Sequence, residues 1–245
     1  MPLSREKRTD KELPMTDILE LSATATPAEI LRAGLAAAGG PVKLACSFSV
    51  EDVVLVDLIA ELGLPIGTFA LDTGRLNEET YEVAEALADR YRLAIDWYFP
   101  RHEAVEALER ERGPFSFRRS LAERHHCCQI RKVEPLGRAL HGLAGWVTGM
   151  RREQSVTRSG LRAIEIDTVN GGIVKINPLL AWDEAQVWAY AESRRLPVNR
   201  LHRQGYRSIG CAPCTRPVAP GEHPRAGRWW WEAAEHKECG LHRRR

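Results

Sequence analysis

Short apolar runs alternate with helical stretches along most of the chain, and this alternation restricts the fold more than any other feature. Turns of glycine and polar residues separate them, so each element has a recognisable end. We predict the following elements in chain order: helix Pro27–Ala38, strand Val42–Cys46, helix Glu51–Leu62, strand Ile66–Leu71, a helix capped by Asn77, strands Ala94–Phe99 and Gly145–Thr148, a hairpin of Ile164–Asp167 with Ile173–Ile176, and helix Asp183–Arg194. The alternation predicts an α/β fold, with a mostly parallel twisted sheet flanked by helices.

The sequence changes character beyond Pro197, where closely spaced glycines and prolines interrupt any long element. We expect residues 18–204 to form an α/β domain and residues 205–245 to form an irregular cap with a mobile tail. A helix is predicted around Trp229–His236. Residues 1–17 are expected to be a disordered leader.

The charge balance and the cysteine content narrow the class of protein. Lys and Arg number 35 against 33 Asp and Glu, and a net charge of +2 gives no electrostatic case for a nucleic-acid or membrane partner. No apolar run approaches the roughly 20 residues of a membrane span, and the first 17 residues lack the apolar segment of a secretory signal. We therefore expect a cytoplasmic protein, whose six cysteines serve as metal ligands, nucleophiles or buried thiols rather than as disulfides.

Two polar loops, Ser47–Asp52 and Asp72–Arg75, follow predicted strands. Backbone N–H groups at the start of a helix favour a bound anion, and loops at neighbouring strand ends share one crevice. The loops therefore predict a site for a phosphate-bearing ligand. A plain helix cap formed by Ser49 and Asp52, and a simple glycine turn at Gly74, are the alternatives left open.

Four cysteines fall into two close pairs, Cys127 with Cys128 and Cys211 with Cys214. Four thiolates could hold one zinc ion or one iron-sulfur cluster. Adjacent thiols reach a single ion awkwardly, whereas a cluster offers a separate iron to each, so the spacing favours the cluster. Zinc remains the main alternative, and a thioredoxin-like redox pair at Cys211 and Cys214 ranks third.

The other two cysteines differ in their surroundings. Cys46 ends an apolar strand and is most simply a small core residue. Cys239 lies among histidines, Lys237 and Arg243, and such cations stabilise a thiolate for nucleophilic attack. An incidental tail thiol is the alternative reading of Cys239.

Basic residues form three groups that could together clamp a polyanion, because guanidinium groups bind phosphate and sulfate oxygens in pairs. Taken singly, each group is more simply solvated surface. The groups are Arg131 with Lys132; Arg151, Arg152 and Arg158; and Arg225 with Arg228. The run Trp229–Trp231 cannot lie on one helical face, so we expect one ring to pack under the cap and another to cover its surface.

Four motifs together resemble the assimilatory adenylyl-sulfate reductases, the cluster-containing branch of the phosphoadenylyl-sulfate reductase family. They are Cys127–Lys132, Cys211-x-x-Cys214, Gly227–Glu232 and Lys237–His242. The resemblance runs from about the first strand to the carboxyl end. It implies an adenine nucleotide alpha hydrolase-like fold, one 4Fe-4S cluster on the four paired cysteines, and reduction of adenosine 5′-phosphosulfate (APS) to sulfite and AMP, with thioredoxin as donor, in sulfate assimilation and cysteine biosynthesis.

The resemblance also implies roles for individual residues. Cys239 matches the nucleophile that attacks the sulfate sulfur to form an enzyme S-sulfocysteine, from which thioredoxin releases sulfite. Lys132 stands out because it lies beside the cluster cysteines and could couple the charge of the cluster to the substrate. The implied substrate-binding positions are Ser47, Ser49, Asp52, Thr73, Gly74, Lys132, Gly149, Arg158, Arg225 and Arg228.

One departure from related folds bears on the substrate. The loop Ser47–Asp52 lacks the paired glycines of ATP pyrophosphatases, which disfavours ATP cleavage. Relatives that use the 3′-phosphorylated substrate typically lack the paired cysteines, so the unphosphorylated substrate is favoured and dual use stays open. A zinc-bearing ATP-pyrophosphatase-like enzyme and a zinc-bearing nucleotide-binding module are the rival hypotheses, and the sequence leaves a homo-oligomer open.

Overall fold

The computed structural model describes residues 24–154 and 160–233. A π-helical turn, Gln129–Val133, joins the helices Leu121–Cys128 and Glu134–Leu140. The elements within these ranges are α1 Pro27–Ala38, β1 Val42–Ala45, α2 Val50–Glu61, β2 Ile66–Leu71, α3 Glu78–Tyr91, β3 Ile95–Tyr98, α4 His102–Arg112, α5 Leu121–Cys128, α6 Glu134–Leu140, β4 Gly145–Val147, β5 Ile164–Asp167, β6 Ile173–Ile176 and α7 Glu184–Ser193.

The six strands form one sheet in the order β3-β2-β1-β4-β6-β5. All neighbours run parallel except β5 and β6, which form the predicted antiparallel hairpin with Ile164 opposite Ile176. Val42 of β1 lies opposite both Ile66 and Gly145, so the chain changes direction across the sheet between β1 and β4. Open α/β sheets bind ligands at such a switch point, beyond the carboxyl ends of the strands.

The main core lies between the sheet and the helices around α2. Residues 50–57 of α2 are all buried, because α2 packs on the sheet while α3 and α7 contact its other sides. α1 packs close to β6, where a side chain at Gly34 would come within 2.6 Å of Ile176. No helix in the described ranges has the length and apolar character needed to cross a bilayer.

A buried carboxylate joins three of these helices. Asp57 of α2 accepts hydrogen bonds from the hydroxyls of Tyr91 at the end of α3 (2.6 Å) and Tyr190 on α7 (2.8 Å). It also accepts one from Nε of Arg194, the residue after α7 (3.0 Å). Burial favours the neutral acid, but these three donors outweigh it and hold the pKa of Asp57 below its ordinary value. Asp57 therefore fixes α3 and α7 against α2.

The fold confirms most of the predicted elements. Helix Pro27–Ala38, strand Ile66–Leu71 and the two hairpin strands have the predicted bounds, and the other elements named above differ from theirs by one residue at one or both ends. Helices α4, α5 and α6 were not predicted from the sequence.

The predicted helix around Trp229–His236 is wrong over its described part. Trp229 has a left-handed φ of 41°, which a helix does not tolerate, and the N–H of Glu232 closes a single turn on its carbonyl (2.8 Å). Residues 234–236 lie outside the described ranges. The expectation that the tryptophans separate is confirmed, since Trp229 is 1% exposed and Trp230 is 37% exposed.

Candidate active site

Two neighbouring cavities lie at the carboxyl ends of the central strands. The larger has a volume of about 540 Å³ and is lined by the loops after β1, β2 and β4, by residues 207–210 and 223–225, and by Arg228. The smaller is lined by Cys127, Cys128, Cys211 and Cys214. Lys132 and Arg228 line both cavities, so they form a common wall.

The loop between β1 and α2 forms one side of the larger cavity. Phe48 has a left-handed φ of 61°, which is uncommon outside glycine and turns the chain sharply before α2 begins. The N–H and hydroxyl of Ser47 donate to Oδ2 of Asp52 (2.6 and 2.7 Å). Ser49 precedes the helix without a capping hydrogen bond from its side chain, so the cap that the Ser49 and Asp52 pattern suggested does not form. The carboxylate of Asp52 instead braces the loop.

The protonation of Asp52 reflects its burial. The side chain is 4% exposed, and burial raises its pKa to about 6, while the hydrogen bonds from Ser47 oppose the shift and nearby Glu51 adds to it. Gly149, after β4, lies directly against this carboxylate, because a Cβ there would come within 2.3 Å of Oδ1. The loop after β4 can approach α2 only with glycine at this position.

The loop after β4 brings a buried arginine to the cavity. Nε of Arg151 donates to Oε1 of Glu51 (3.0 Å), and its Nη1 donates to Oε2 of Glu153 (2.9 Å). Gln154 also donates to Oε1 of Glu51 (2.8 Å). Neither Glu51 nor Gln154 was predicted to have a role. No local sequence pattern signals the pairing of Glu51 with Arg151, because these residues lie a hundred positions apart.

The segment after α7 closes the third side. Nη1 of Arg228 donates to the carbonyl of Ile209 (3.2 Å), and its guanidinium lies 4.7 Å from the ring centre of Trp229. Gly210 makes room for it, since a Cβ there would come within 2.4 Å of the guanidinium. Arg225, whose N–H donates to Nδ1 of His223 (3.1 Å), also lines the cavity.

The cysteine cavity is assembled from two distant segments. Cys127 and Cys128 end α5, while Cys211 and Cys214 flank and end a 3-10 turn at 212–214. The N–H of Ala212 donates to the carbonyl of Arg75 (2.8 Å), which ties this turn to the loop after β2. Cations line the cavity beside the thiols: Arg75, Arg124, Arg131, Lys132 and Arg228.

Arg131 and Lys132 lie in the π-helical turn, and Arg131 has fixed partners. It donates to the carbonyl of Thr73 (2.8 Å) and to Oε1 of Glu109 (2.7 Å). Such turns are frequent at functional sites because the added residue re-aims the side chains that follow. Arg131 thus fastens the loop after β2 to the helix that carries the cysteines.

The pKa values of three of these four thiols are shifted, and not all in the same direction. Burial raises the pKa of Cys127, and it raises the pKa of Cys214 to about 12 with a further contribution from Cys211. Burial also opposes ionisation of Cys211, but Lys132, a hydrogen bond with Thr73 (3.3 Å) and two arginines together bring its pKa below the ordinary value. The cavity therefore favours the thiolate of Cys211, while the thiolates of Cys127 and Cys214 need added positive charge. Among the described residues, no three His, Cys, Asp or Glu side chains are arranged to hold a single metal ion.

The structure brings together most of the predicted substrate-binding residues. Gly74 does not line the larger cavity, and its N–H donates to Oδ1 of Asp72 (2.7 Å). Arg158 and Cys239 lie outside the described residues. Those that line the cavity are Ser47, Ser49, Asp52, Thr73, Lys132, Gly149, Arg225 and Arg228.

Comparison with known proteins points to one family. The phosphoadenosine phosphosulfate reductase domain matches residues 41–217. An adenosine 5′-phosphosulfate reductase of Burkholderia cepacia is 48% identical over 223 residues, which cover 91% of this chain and 89% of the relative. One from Allochromatium vinosum is 52% identical over 200 residues, which cover 82% and 78%.

Solved structures share the fold. A phosphoadenylyl-sulfate reductase of Candida auris, in a phosphate complex, superposes with a TM-score of 0.67 at 29% identity, covering 84% of this chain and 98% of that one. An FMN adenylyltransferase of Candida glabrata with bound ATP gives 0.56 at 16% identity, covering 91% and 80%, a likeness of fold alone. The fold is therefore adenine nucleotide alpha hydrolase-like, as the family resemblance implies.

Proposed function

Because this chain belongs to the phosphoadenosine phosphosulfate reductase family, we propose that it reduces APS to sulfite and AMP in assimilatory sulfate reduction. The observation that carries the proposal is the wall of Lys132 and Arg228 between the larger cavity and the four cysteines. That wall can place the anionic end of a sulfonucleotide beside the cysteine site.

The proposed reaction needs positive charge near the sulfate group, and the cations of the cavity can supply it. A thiolate that approaches the sulfate sulfur meets anionic oxygens, and the barrier falls when positive charges offset them. Lys132, Arg225 and Arg228 line the cavity and can bind those oxygens, with Arg158 proposed as a further contact. Backbone N–H groups at the start of α2 suit the 5′-phosphate, and Ser47, Ser49, Asp52, Thr73, Gly74 and Gly149 complete the proposed nucleotide site.

Cys239 is the proposed nucleophile. Its thiolate attacks the sulfur, the bond from sulfur to the bridging phosphate oxygen breaks, and AMP leaves with the electron pair. A thiolate of reduced thioredoxin then attacks the Cys239 sulfur of the S-sulfocysteine, and sulfite departs with the electron pair of the S–S bond. The second thioredoxin thiol releases Cys239 as a thiolate and closes the thioredoxin disulfide. The dithiol thus supplies both electrons.

The donor set at the smaller cavity fits a 4Fe-4S cluster. Cys127, Cys128, Cys211 and Cys214 line one cavity, and the adjacent pair can bind separate irons. The raised pKa values of Cys127 and Cys214 mean that these two thiols ionise only with a compensating cationic group. When bound, the cluster holds the two segments together and contributes its charge to the common wall.

Three further parts of the proposal concern context. Thioredoxin is the proposed donor, and the cytoplasm is the proposed location. The five cysteines in the described ranges are free thiols, which agrees with a reducing compartment. We also keep the division into an α/β domain over 18–204 and a cap and tail over 205–245.

The test measures sulfite and AMP from APS, with reduced thioredoxin, on anaerobically purified protein of known iron and acid-labile sulfide content. We expect stoichiometric release of both products and about four irons per chain. Colourless protein with one zinc ion and no sulfite would support the zinc-bearing alternatives, and cleavage of ATP would then separate the pyrophosphatase-like enzyme from the binding module.

The nucleophile is tested separately with Cys239→Ser. This variant should keep its iron and its affinity for AMP but lose sulfite release, because it lacks the attacking sulfur. Mass spectrometry of the unaltered protein, mixed with APS in the absence of thioredoxin, should show one added sulfonate on Cys239. Cys46 is the internal control in the same spectrum: burial raises the pKa of this thiol well above its ordinary value, so it should carry no sulfonate.

A further inference from the structure

Two exposed aromatic side chains lie against one exposed arginine. Phe115 is 56% exposed and Trp230 is 37% exposed. The guanidinium of Arg118 lies 5.0 Å from the ring centre of Phe115 and 5.5 Å from that of Trp230. We call these three residues the aromatic patch. Protein–protein interfaces are enriched in Phe, Trp and Arg, so the composition of this patch is that of a docking surface.

The aromatic patch lies on the outer side of the cysteine cavity. Buried Phe117 lines that cavity, and its ring centre lies 5.7 Å from the guanidinium of Arg118. Nη2 of Arg118 donates to the carbonyl of Pro213 (3.2 Å), which stands between Cys211 and Cys214 in the chain. A protein that covers the patch therefore lies over the cysteine site and leaves the larger cavity open, because no patch residue lines that cavity.

The aromatic patch also carries positive charge. The partners of Arg118 named above are a carbonyl group and aromatic rings, which are neutral and leave the charge of the guanidinium in place. Arg119, the next residue, is exposed as well. The surface that fits here has apolar side chains at its centre and carboxylates at its edge.

The aromatic patch is close to the end of the described chain, and Cys239 lies beyond that end. Trp230 is three positions before residue 233, where the description stops. Cys239 follows six residues later, and six residues span at most about 20 Å. A protein whose thiol attacks the Cys239 sulfur must bring that thiol within this distance of residue 233. A protein seated on the patch meets this condition, because Trp230 lies so near to residue 233.

We propose that the aromatic patch is the docking surface for reduced thioredoxin, the electron donor of the proposed reaction. This inference rests on the proposed function. The donor must meet each S-sulfocysteine and then leave, so a small surface with a few aromatic anchors suits it better than a large one. The docked donor lies over the cysteine site, with its thiols within reach of Cys239. The patch therefore acts in the release of sulfite and has no part in the attack on APS.

The experiment compares two reductants on the full chain, loaded with its cluster under anaerobic conditions. Thioredoxin must dock, whereas dithiothreitol is a small dithiol that supplies the same two electrons without a docking surface. Sulfite release from APS is measured against the concentration of each reductant. Arg118→Glu reverses the charge of the patch, and we expect it to raise the KM for thioredoxin roughly tenfold. Its rate with dithiothreitol, its iron content and its rate of sulfonate transfer to Cys239 without reductant should stay unchanged.

A second variant decides the matter if Arg118→Glu loses iron. Phe115→Ala removes an exposed ring and should raise the KM for thioredoxin by a smaller factor. Phe99→Ala is its matched control, because Phe99 follows β3 and is 53% exposed. Arg32→Glu is the control for the reversed charge, because Arg32 is an exposed residue of α1. Both controls should leave the KM for thioredoxin unchanged.

The contrary outcomes are distinct from one another. An unchanged KM for thioredoxin in both patch variants would show that the donor docks elsewhere. Slower sulfonate transfer to Cys239 would instead assign the patch to residues 234–245 of the chain itself. A changed oligomeric mass with the same KM would assign it to a second copy. Failure of the unaltered protein to release sulfite with either reductant would overturn the proposed function itself.

Discussion

Two buried aspartates of α2 have pKa values shifted in opposite directions, although burial by itself raises both. Asp52, at the start of the helix, is 4% exposed and has its pKa raised to about 6, whereas Asp57 is 2% exposed and has its pKa lowered. Asp57 accepts from two tyrosine hydroxyls and from the guanidinium of Arg194. The donors to Asp52 come from the neutral residues Ser47 and Ser49, and the charged Glu51 lies beside it.

Asp57 is a structural carboxylate, whereas the buried charge of Asp52 lowers the stability of the fold. Asp57 has a full set of donors, including a cation, so its charge stabilises the packing of three helices. Asp52 holds the loop that lines the cavity at a cost to stability, which is typical of groups kept for function. The following variants test this contrast.

The largest effect is expected for Asp57→Ala. It leaves three donors without their acceptor, at about 1 kcal/mol each or somewhat more for Arg194, so we expect a loss of about 3 to 4 kcal/mol. The midpoint of urea unfolding would measure it. Asp57→Asn, which keeps an acceptor, should lose less. Because the folded pKa of Asp57 lies below its ordinary value, this stabilisation is present above that ordinary value and is lost as pH falls through the folded one.

Gly149→Ala should have the next largest effect. The new Cβ would come within 2.3 Å of Oδ1 of Asp52, so the loop after β4 must move away from α2. We expect a loss of about 2 kcal/mol, with weaker AMP binding. Gly137→Ala, in α6, is the matched control, because a Cβ there meets nothing within 4 Å and adds a methyl group without a clash. Equal AMP binding by both variants would place Gly149 outside the nucleotide site.

Asp52→Asn should change stability in the opposite direction from Asp57→Ala. The folded pKa of Asp52 lies above its ordinary value of 3.8, so its stabilising contribution is present below pH 3.8 and is lost as pH rises through about 6. Ionisation then costs roughly 3 kcal/mol at pH 8. Allowing for weaker hydrogen bonds from Ser47, we expect Asn to stabilise the protein by about 1 to 2 kcal/mol at pH 8. A loss of stability at that pH would contradict the comparison.

The smallest effect belongs to Ser47→Ala. This substitution removes the hydroxyl donor to Asp52 but leaves the backbone N–H at 2.6 Å. The net loss should be about 1 kcal/mol, since a hydrogen bond to a charged group is worth somewhat more than a neutral one. Its effect should fade below pH 6, where Asp52 becomes neutral, and urea midpoints at pH 5 and pH 8 would show the difference.

Regular local patterns made much of the fold predictable. The capping box and the alternation of apolar runs gave α1, the strands and the hairpin, because these signals act over a few residues. Helices α4 to α6 escaped prediction for physical reasons. In α4 only Leu108 is buried, so its apolar face is weak, and a π-helical turn interrupts the period between α5 and α6.

The site divides in the same way. The pairs of cysteines and the polar loops at strand ends are visible in the sequence, since their chemistry depends on residue type and close spacing. The ion pair of Glu51 with Arg151 is not visible, because the two residues meet only when β1 and β4 pair in the sheet. The sequence also does not show which of the basic residues line a cavity.

The sequence by itself determined the kinds of element, their order and the chemical groups available. The tertiary structure alone decided that Lys132 and Arg228 stand between two cavities, that Arg151 is neutralised, and that Asp52 and Asp57 carry opposite pKa shifts. The physical reason is the distance along the chain over which each interaction acts. Backbone propensity and side-chain periodicity act between neighbours in the chain, whereas burial and electrostatic interaction depend on distances that only the packed fold defines.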